Sequence, residues 1–315
     1  MGFPSVRACI LAGIALALSS AAPGADGPLR SDEGRVSPRP APLNPSLNST
    51  GTRNIRLDIK VVQIPVTVTD PSDRPVRDLR KDDFHLFEDN VEQNIAYLHT
   101  EEAPASVGLI FDASGSMHNK IETSVAAVDQ FFQTNLPGDE FLLVRFSTLP
   151  HLLTGFTSDT TQISAWLHAT EPSGWTALYD AIYLGIQKMK SARNPRRALL
   201  ILSDGGDNNS RYTAAEIRNL VREADVRIYS LGLLQSSHVL ERISDETGGR
   251  MIHVRKMSDL PDAMDKLSRD LRSQYVLGYY SSNPQNDGRY RHVRVQVTQP
   301  DVRASWRRGY YAPLE

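Results

Sequence analysis

Asp112, Ser114 and Ser116 stand at every second position of "DASGS", directly after the apolar run Val107-Gly108-Leu109-Ile110-Phe111. Asp204 follows a second apolar run, Ala198-Leu199-Leu200-Ile201-Leu202, and is trailed by Gly205-Gly206-Asp207-Asn208. Thr176 lies in Gly174-Trp175-Thr176-Ala177, just ahead of a helical pattern. These are two carboxylates and three hydroxyls, all oxygen donors. Such a set suits a hard divalent cation, above all Mg²⁺, with Mn²⁺ or Ca²⁺ as alternatives. Two Asp residues formally balance a dication. The hydroxyls of Ser114, Ser116 and Thr176 are neutral and fix an ion without meeting its demand for anionic oxygen. If one Asp acts through water, the ion stays electrophilic and one coordination position can take a carboxylate from outside, so the residues predict a metal that bridges the protein to an acidic residue of a partner.

The elements around these loops supply the geometry. Residues 105–272 alternate continuous apolar runs with amphipathic patterns. The runs are 107–111, 141–144 and 198–202, and a further strand is expected over Val226, Ile228, Tyr229, Ser230 and Leu231. The patterns are Ile121/Val125/Val128/Phe132, Leu178/Ile182/Ile186/Met189, Ile217/Leu220/Val221 and Leu260/Met264/Leu267/Leu271. Strands buried on both faces alternating with helices predict an α/β unit with a doubly wound, mainly parallel sheet. In such sheets ligands bind beyond the carboxyl ends of the strands, where the three loops above lie.

The flanks have a different rhythm. In residues 54–102, Ile55, Leu57, Ile59 and Val61 alternate with polar residues, and Val62, Ile64, Val66 and Val68 continue in the opposite phase. A turn follows at Asp70-Pro71-Ser72-Asp73, then a strand pair around Glu88-Asp89-Asn90. In residues 273–315, Tyr275/Leu277/Tyr279 and Val293/Val295/Val297 alternate, with a turn signal at Asn286-Asp287-Gly288 between them. Neither segment alone can bury a face, so the two are expected to pair as one β-sandwich-like domain with the α/β unit, residues 103–272, inserted between them. Ahead of them, residues 1–22 carry Arg7, a short apolar run and small residues, the pattern of a secretory signal peptide, and residues 23–53 have Pro/Ser-rich linker composition. The expected location is periplasmic or extracellular. No stretch of the mature chain is long and apolar enough to span a bilayer.

Composition narrows the function classes. Of 315 residues, 40% are hydrophobic and 23% charged, which is globular composition. Lys+Arg number 35 against Asp+Glu 37, a net charge of -2, so nothing draws the chain toward nucleic acid. The single cysteine, Cys9, excludes a disulfide framework and a Cys-built zinc cluster. The basic cluster Arg303, Arg307, Arg308 with Trp306 and Tyr310 reads as an exposed strand face, and Asp207-Asn208-Asn209 as a solvated turn.

Asp-x-Ser-x-Ser on a strand-to-helix loop, with a downstream Thr and a downstream Asp, resembles the metal-ion-dependent adhesion site of von Willebrand factor type A domains. "LIFDASGSM", "GWTALYDAI" and "LLILSDGGDN" stand in the expected order. "PVTVTD", "DDFHLFEDN", "YVLGYY" and "VRASWRRGYYA" resemble flanks of bacterial secreted proteins related to that family. Trp175 departs from the pattern, because the family often has a second Gly before the Thr. The resemblance implies an adhesion-type, non-enzymatic module that holds Mg²⁺ through Asp112, Ser114, Ser116, Thr176 and Asp204 and captures an Asp or Glu of a protein ligand. It also implies that ligand capture can couple to a shift of the last helix, against which a rigid domain is the plain alternative. Two other readings stay open: a metal-dependent hydrolase or phosphotransferase, and a structural module with a vestigial metal site. For an enzyme, no general base is placed by the sequence, and "DASGS" is not Gly-x-Ser-x-Gly.

Overall fold

A computed structural model describes residues 61–100 and 103–314. Its strands are β1 (Val61–Thr69), β2 (Phe84–Glu88), β3 (Val91–Gln93), β4 (Ile95–Thr100), β5 (Ala105–Asp112), β6 (Glu140–Phe146), β7 (Pro150–Thr157), β8 (Arg196–Ser203), β9 (Arg227–Leu233), β10 (Met251–Val254), β11 (Tyr275–Tyr280), β12 (Tyr290–Val297), β13 (Arg303–Trp306) and β14 (Gly309–Tyr311). Its α-helices are α1 (Ile121–Phe132), α2 (Thr160–His168), α3 (Leu178–Met189), α4 (Ala214–Glu223), α5 (His238–Glu246) and α6 (Leu260–Arg272). The expected signal peptide and linker and the alternating residues 54–60 lie outside the described residues.

The central sheet has the order β10-β9-β8-β5-β6-β7. All pairings are parallel except that of the edge strand β7 on β6. Every residue of β5 is buried, which is why its sequence runs apolar without alternation. Leu109 and Phe111 face a core closed by α1, α2 and α6, while Ile110 faces one closed by α3, α4 and α5. Three helices on each face make the doubly wound architecture that the sequence predicts. Sequence order reverses at β5, which has β6 on one side and β8 on the other, so the sheet's switch point lies between β5 and β8.

The flanking β segments interleave. One sheet has the order β13-β1-β11-β4 and the other β14-β12-β2-β3, so each mixes strands from before and after the α/β unit. Ile64, Val66, Leu86, Leu277, Tyr279, Val293 and Val295 share one core between the two sheets, a sandwich. The β2–β3 hairpin closes through Asp89 (φ 46°) and Asn90 (φ 69°), the paired left-handed residues of a type I′ turn. The turn signal at 286–288 does not close a hairpin. β11 and β12 belong to opposite sheets, and that turn carries the chain across the sandwich.

Charged contacts fasten the sandwich to the α/β unit. Arg227 donates to Thr67 Oγ1 at 3.0 Å and to the Pro65 carbonyl. Arg250 reaches Asp73 at 2.7 Å and Asp270 of α6 at 2.5 Å, and Lys266 of α6 also meets Asp73, at 3.1 Å. Arg307 pairs with Asp225 at 3.2 Å and Arg308 with Asp245 at 2.5 Å, the latter guanidinium also lying over the Trp306 ring. Arg307 and Arg308 of the cluster expected to be an exposed basic face are therefore paired with Asp225, just after α4, and Asp245 of α5. Sequence spacing could not show this, because Asp225 and Asp245 are remote in the chain.

Candidate metal centre

The three loops named by the sequence meet at the carboxyl edge of the central sheet. Asp112 ends β5, Asp204 directly follows β8, and these two strands are hydrogen-bonded neighbours. The Asp112 carboxylate is fully buried. Its Oδ1 accepts the Ser114 N–H at 2.9 Å and its Oδ2 accepts the Ser203 hydroxyl at 2.6 Å. Burial pushes the Asp112 carboxyl above its usual range, the donors from Ser114 and Ser203 oppose this, and the neighbouring Asp204 charge adds to it.

Ser114 precedes a short 3-10 turn, Gly115–Met117, and Ser116 is its middle residue. Serines at such places commonly cap a helix, yet neither turn nor helix is capped here by a serine side chain: Ser114 makes no cap hydrogen bond, and α1 begins after Lys120. The two hydroxyls instead lie 3.1 Å apart, Oγ to Oγ.

The Thr176 loop is bound to the first loop through the backbone. Ser173 N–H donates to Ala113 O at 2.8 Å, and Gly115 N–H to Gly174 O at 3.1 Å. Gly174 has φ +79°, and a Cβ there would collide with Thr148 Oγ1, so only glycine permits this approach. Thr176 itself is held from the other side: its N–H donates to Asn208 Oδ1 at 2.8 Å, and its carbonyl accepts the N–H groups of Asn208 and Asn209. Asp207 Oδ1 accepts from Tyr179 N–H at 3.2 Å and Ser210 Oγ at 2.5 Å, and Asn209 Nδ2 donates to Thr148 O at 2.7 Å. Residues 207–209, expected to be a solvated turn, are thus the clasp that joins the Asp204 and Thr176 loops.

Two participants escaped the sequence reading. Ser203 orients Asp112 as described, and its Oγ also accepts the Gly205 N–H at 3.1 Å. Lys120 extends its ammonium to Asp204 Oδ2 at 2.8 Å and to the Ser116 carbonyl at 3.0 Å. Only a lysine near the end of the motif could have hinted at this, and the same lysine is equally expected on a helix surface.

The donor chemistry fits a hard dication: buried carboxylate, paired hydroxyls and a second carboxylate, all oxygen. Among the described residues no group of three or more His, Cys, Asp or Glu side chains is placed to hold a metal, so an ion held here would need hydroxyls as well as the two carboxylates. His118, beside the motif, is exposed.

Comparison with known proteins agrees with the fold. Residues 107–206 match the von Willebrand factor type A domain model. No curated protein matches the chain. The von Willebrand factor type A structure from Catenulispora acidiphila is 12% identical with a TM-score of 0.50, over 74% of this chain and 73% of that one. Proximal thread matrix protein 1 of the mussel byssus, in a structure with a zinc-occupied MIDAS motif, is 16% identical with a TM-score of 0.50, over 58% of this chain and 50% of that one. This chain therefore spans about half the length of the mussel protein. Residues 107–206, from within β5 to the loop bearing Asp204, thus match a von Willebrand factor type A domain, and the order of the central sheet agrees with the fold of the similar structures.

Proposed function

We propose that the chain is an exported binding module of adhesion type, which captures an Asp or Glu of a protein partner through Mg²⁺ held by Asp112, Ser114, Ser116, Thr176 and Asp204. The observation that carries this reading is the meeting of three loops at the β5/β8 switch point, with two buried carboxylates and two serine hydroxyls 3.1 Å apart. The zinc-occupied motif of the mussel protein supports divalent-metal use on this fold. A bound ion would supply one electrophilic coordination position for a carboxylate from outside. The chain's own residues do the rest. Ser203 and the Ser114 N–H hold the Asp112 carboxylate in one orientation. The 207–209 clasp fixes Thr176. No described helix is long and apolar enough to cross a membrane. Export rests on the N-terminal pattern, and the interleaved strands support treating residues 54–102 and 273–315 as one host module around an inserted 103–272 domain.

The test is capture of partners from native envelope or culture fluid by the immobilised chain, with Mg²⁺ and with EDTA, beside an Asp112→Asn chain. Retention that needs Mg²⁺ and is lost in the variant supports the reading. Retention indifferent to both, or metal-dependent turnover of generic esters or phosphates, contradicts it.

The rim of the site adds a specific expectation. Trp175 is 63% exposed and Leu149 48% exposed. The Trp175 N–H is pinned to Thr148 Oγ1 at 3.1 Å, so the indole is presented from a fixed backbone. A large exposed aromatic beside a charged centre is the usual make-up of an interface anchor. Trp175→Ala should weaken the Mg²⁺-dependent partner by roughly tenfold while leaving Mg²⁺ affinity unchanged. Partner binding equal to that of the parent chain would remove Trp175 from the interface.

A further inference from the structure

Lys120 is placed where a second cation would be expected to interfere. Its side chain is 13% exposed and that of Asp204 5% exposed, so the pair is largely withdrawn from water. The ammonium donates at 2.8 Å to Asp204 Oδ2 and at 3.0 Å to the carbonyl of Ser116. It therefore joins the β8 loop to the β5 loop, bridging two of the three segments that form the candidate metal centre. Among the described residues, no other basic side chain forms an ion pair with Asp204, and none does with Asp112.

Charge counting shows what this does. Asp112 and Asp204 ionised, with Lys120 charged, leave the site at one negative charge. A dication takes it to one positive charge, and a partner's carboxylate then brings it to neutrality. Without Lys120 the same site is neutral with the metal alone, and the partner's carboxylate takes it to one negative charge. Charge imbalance is costly where groups are buried, so the lysine moves the preferred state from metal-loaded to metal-plus-carboxylate.

We infer that Lys120 is a positioning residue that opposes the metal and so makes metal retention depend on the partner. Its ammonium engages the Asp204 oxygen that a dication would otherwise claim, and it leaves the loaded site one anion short. This inference rests on the metal-bridging reading above. It goes further by assigning the coupling between metal and partner to one residue that is not a ligand of either.

The experiment is calorimetric titration of the full chain with Mg²⁺, for the parent, Lys120→Met and Lys120→Gln, first in chloride and then with acetate as a carboxylate probe. Circular dichroism establishes that each variant is folded, and the glutamine variant serves if the methionine variant is not. Removing the ammonium should tighten Mg²⁺ binding by roughly tenfold or more, and acetate should raise the Mg²⁺ affinity of the parent by a larger factor than that of the variants. Mg²⁺ binding that is unchanged or weaker in both variants, while the parent binds, overturns the inference and makes Lys120 a brace between loops. An equal acetate effect in parent and variants also overturns it. Absence of Mg²⁺ binding in the parent and variants alike overturns the metal reading itself, a result distinct from the other two. Binding seen only in the variants is the inference in its strongest form.

Discussion

Asp112→Asn leaves the chain folded and removes its Mg²⁺ affinity. Asparagine keeps the shape of the carboxylate and one acceptor oxygen for the Ser114 N–H, and the Ser203 hydroxyl can turn to accept from the amide. The negative charge is what is lost. Asp204 is already matched by Lys120, so no uncompensated anion remains for the ion, and affinity should fall by roughly hundredfold or more, about 3 kcal/mol. Stability without metal should move the other way. Burial raises the Asp112 carboxyl in the folded chain, so its contribution to stability is present below the ordinary Asp range and is lost as pH rises through the raised value. A neutral asparagine escapes that loss. At neutral pH, with EDTA, the variant should unfold at the same urea concentration as the parent or a higher one. Mg²⁺ affinity within about tenfold of the parent would contradict this account of the site.

Arg250→Met should destabilise the chain strongly at high pH and weakly at low pH. Arg250 stands between Asp73 of the sandwich and Asp270 of α6, and Asp270 is almost wholly buried. Burial pushes the Asp270 carboxyl up to about 6, with Asp73 adding to the rise and Arg250 and Arg227 pulling it down. Because the folded value lies above the unfolded one, the stability linked to Asp270 is full below its ordinary range and is lost as pH rises through about 6. Removing the guanidinium takes away the chief pull, so the ionised carboxylate becomes harder to tolerate while the protonated form is little affected. The expected cost is about 3–5 kcal/mol at about pH 8 and about 1 kcal/mol at about pH 5. Adding Asp270→Asn should recover much of the high-pH loss. Urea unfolding at the two pH values measures both, and an equal cost at both would show that Asp270 is not the group responsible. Lys266 remains on Asp73 in the variant, so the loss reports chiefly on α6 rather than on the 70–73 turn.

The sheet and the site were largely legible because both rest on local patterns. Strands buried on both faces read as apolar runs, and a ligand edge follows from where those runs end. Val107 to Phe111 and Ala198 to Leu202 thus located Asp112 and Asp204 with no knowledge of the fold. Thr176 was legible only through its position before a helix and through the family resemblance. What was not legible depends on distant partners. β7 is a half-exposed edge strand with Gly155 inside it and no clean alternation, and α5 presents only Leu240 and Ile243 as buried apolar residues. The Asn286-Asp287-Gly288 turn has the same chemistry whether the chain returns along its own sheet or crosses to the other. Lys120 and Asp204 are 84 positions apart, so the burial of that lysine belongs to the tertiary fold alone. The same holds for Arg307 and Arg308, whose partners Asp225, just after α4, and Asp245, on α5, could not be paired with them by spacing.

The helix α6 leads directly into β11 and is held along its length. Asp265 accepts from Gln130 at 3.0 Å, Ser268 meets Thr134 at 2.7 Å, and Arg272 pairs with Asp139 at 2.6 Å. These contacts reach α1 and the start of β6, while Lys266 and Asp270 reach the sandwich side. A shift of α6 on ligand capture would have to break contacts in both directions. The destabilised Arg250→Met chain is the background in which such a shift would be easiest to detect.

The most direct test of the central claim is an anomalous difference map from crystals of the chain soaked in Mn²⁺. The account predicts one peak at the β5/β8 edge, within about 2.1–2.3 Å of the Ser114 and Ser116 hydroxyl oxygens, with Asp112, Thr176 and Asp204 around it directly or through water. The peak should vanish in Asp112→Asn. A map without density there at millimolar Mn²⁺, or with its peak elsewhere on the molecule, would contradict the metal centre and the bridging function built on it.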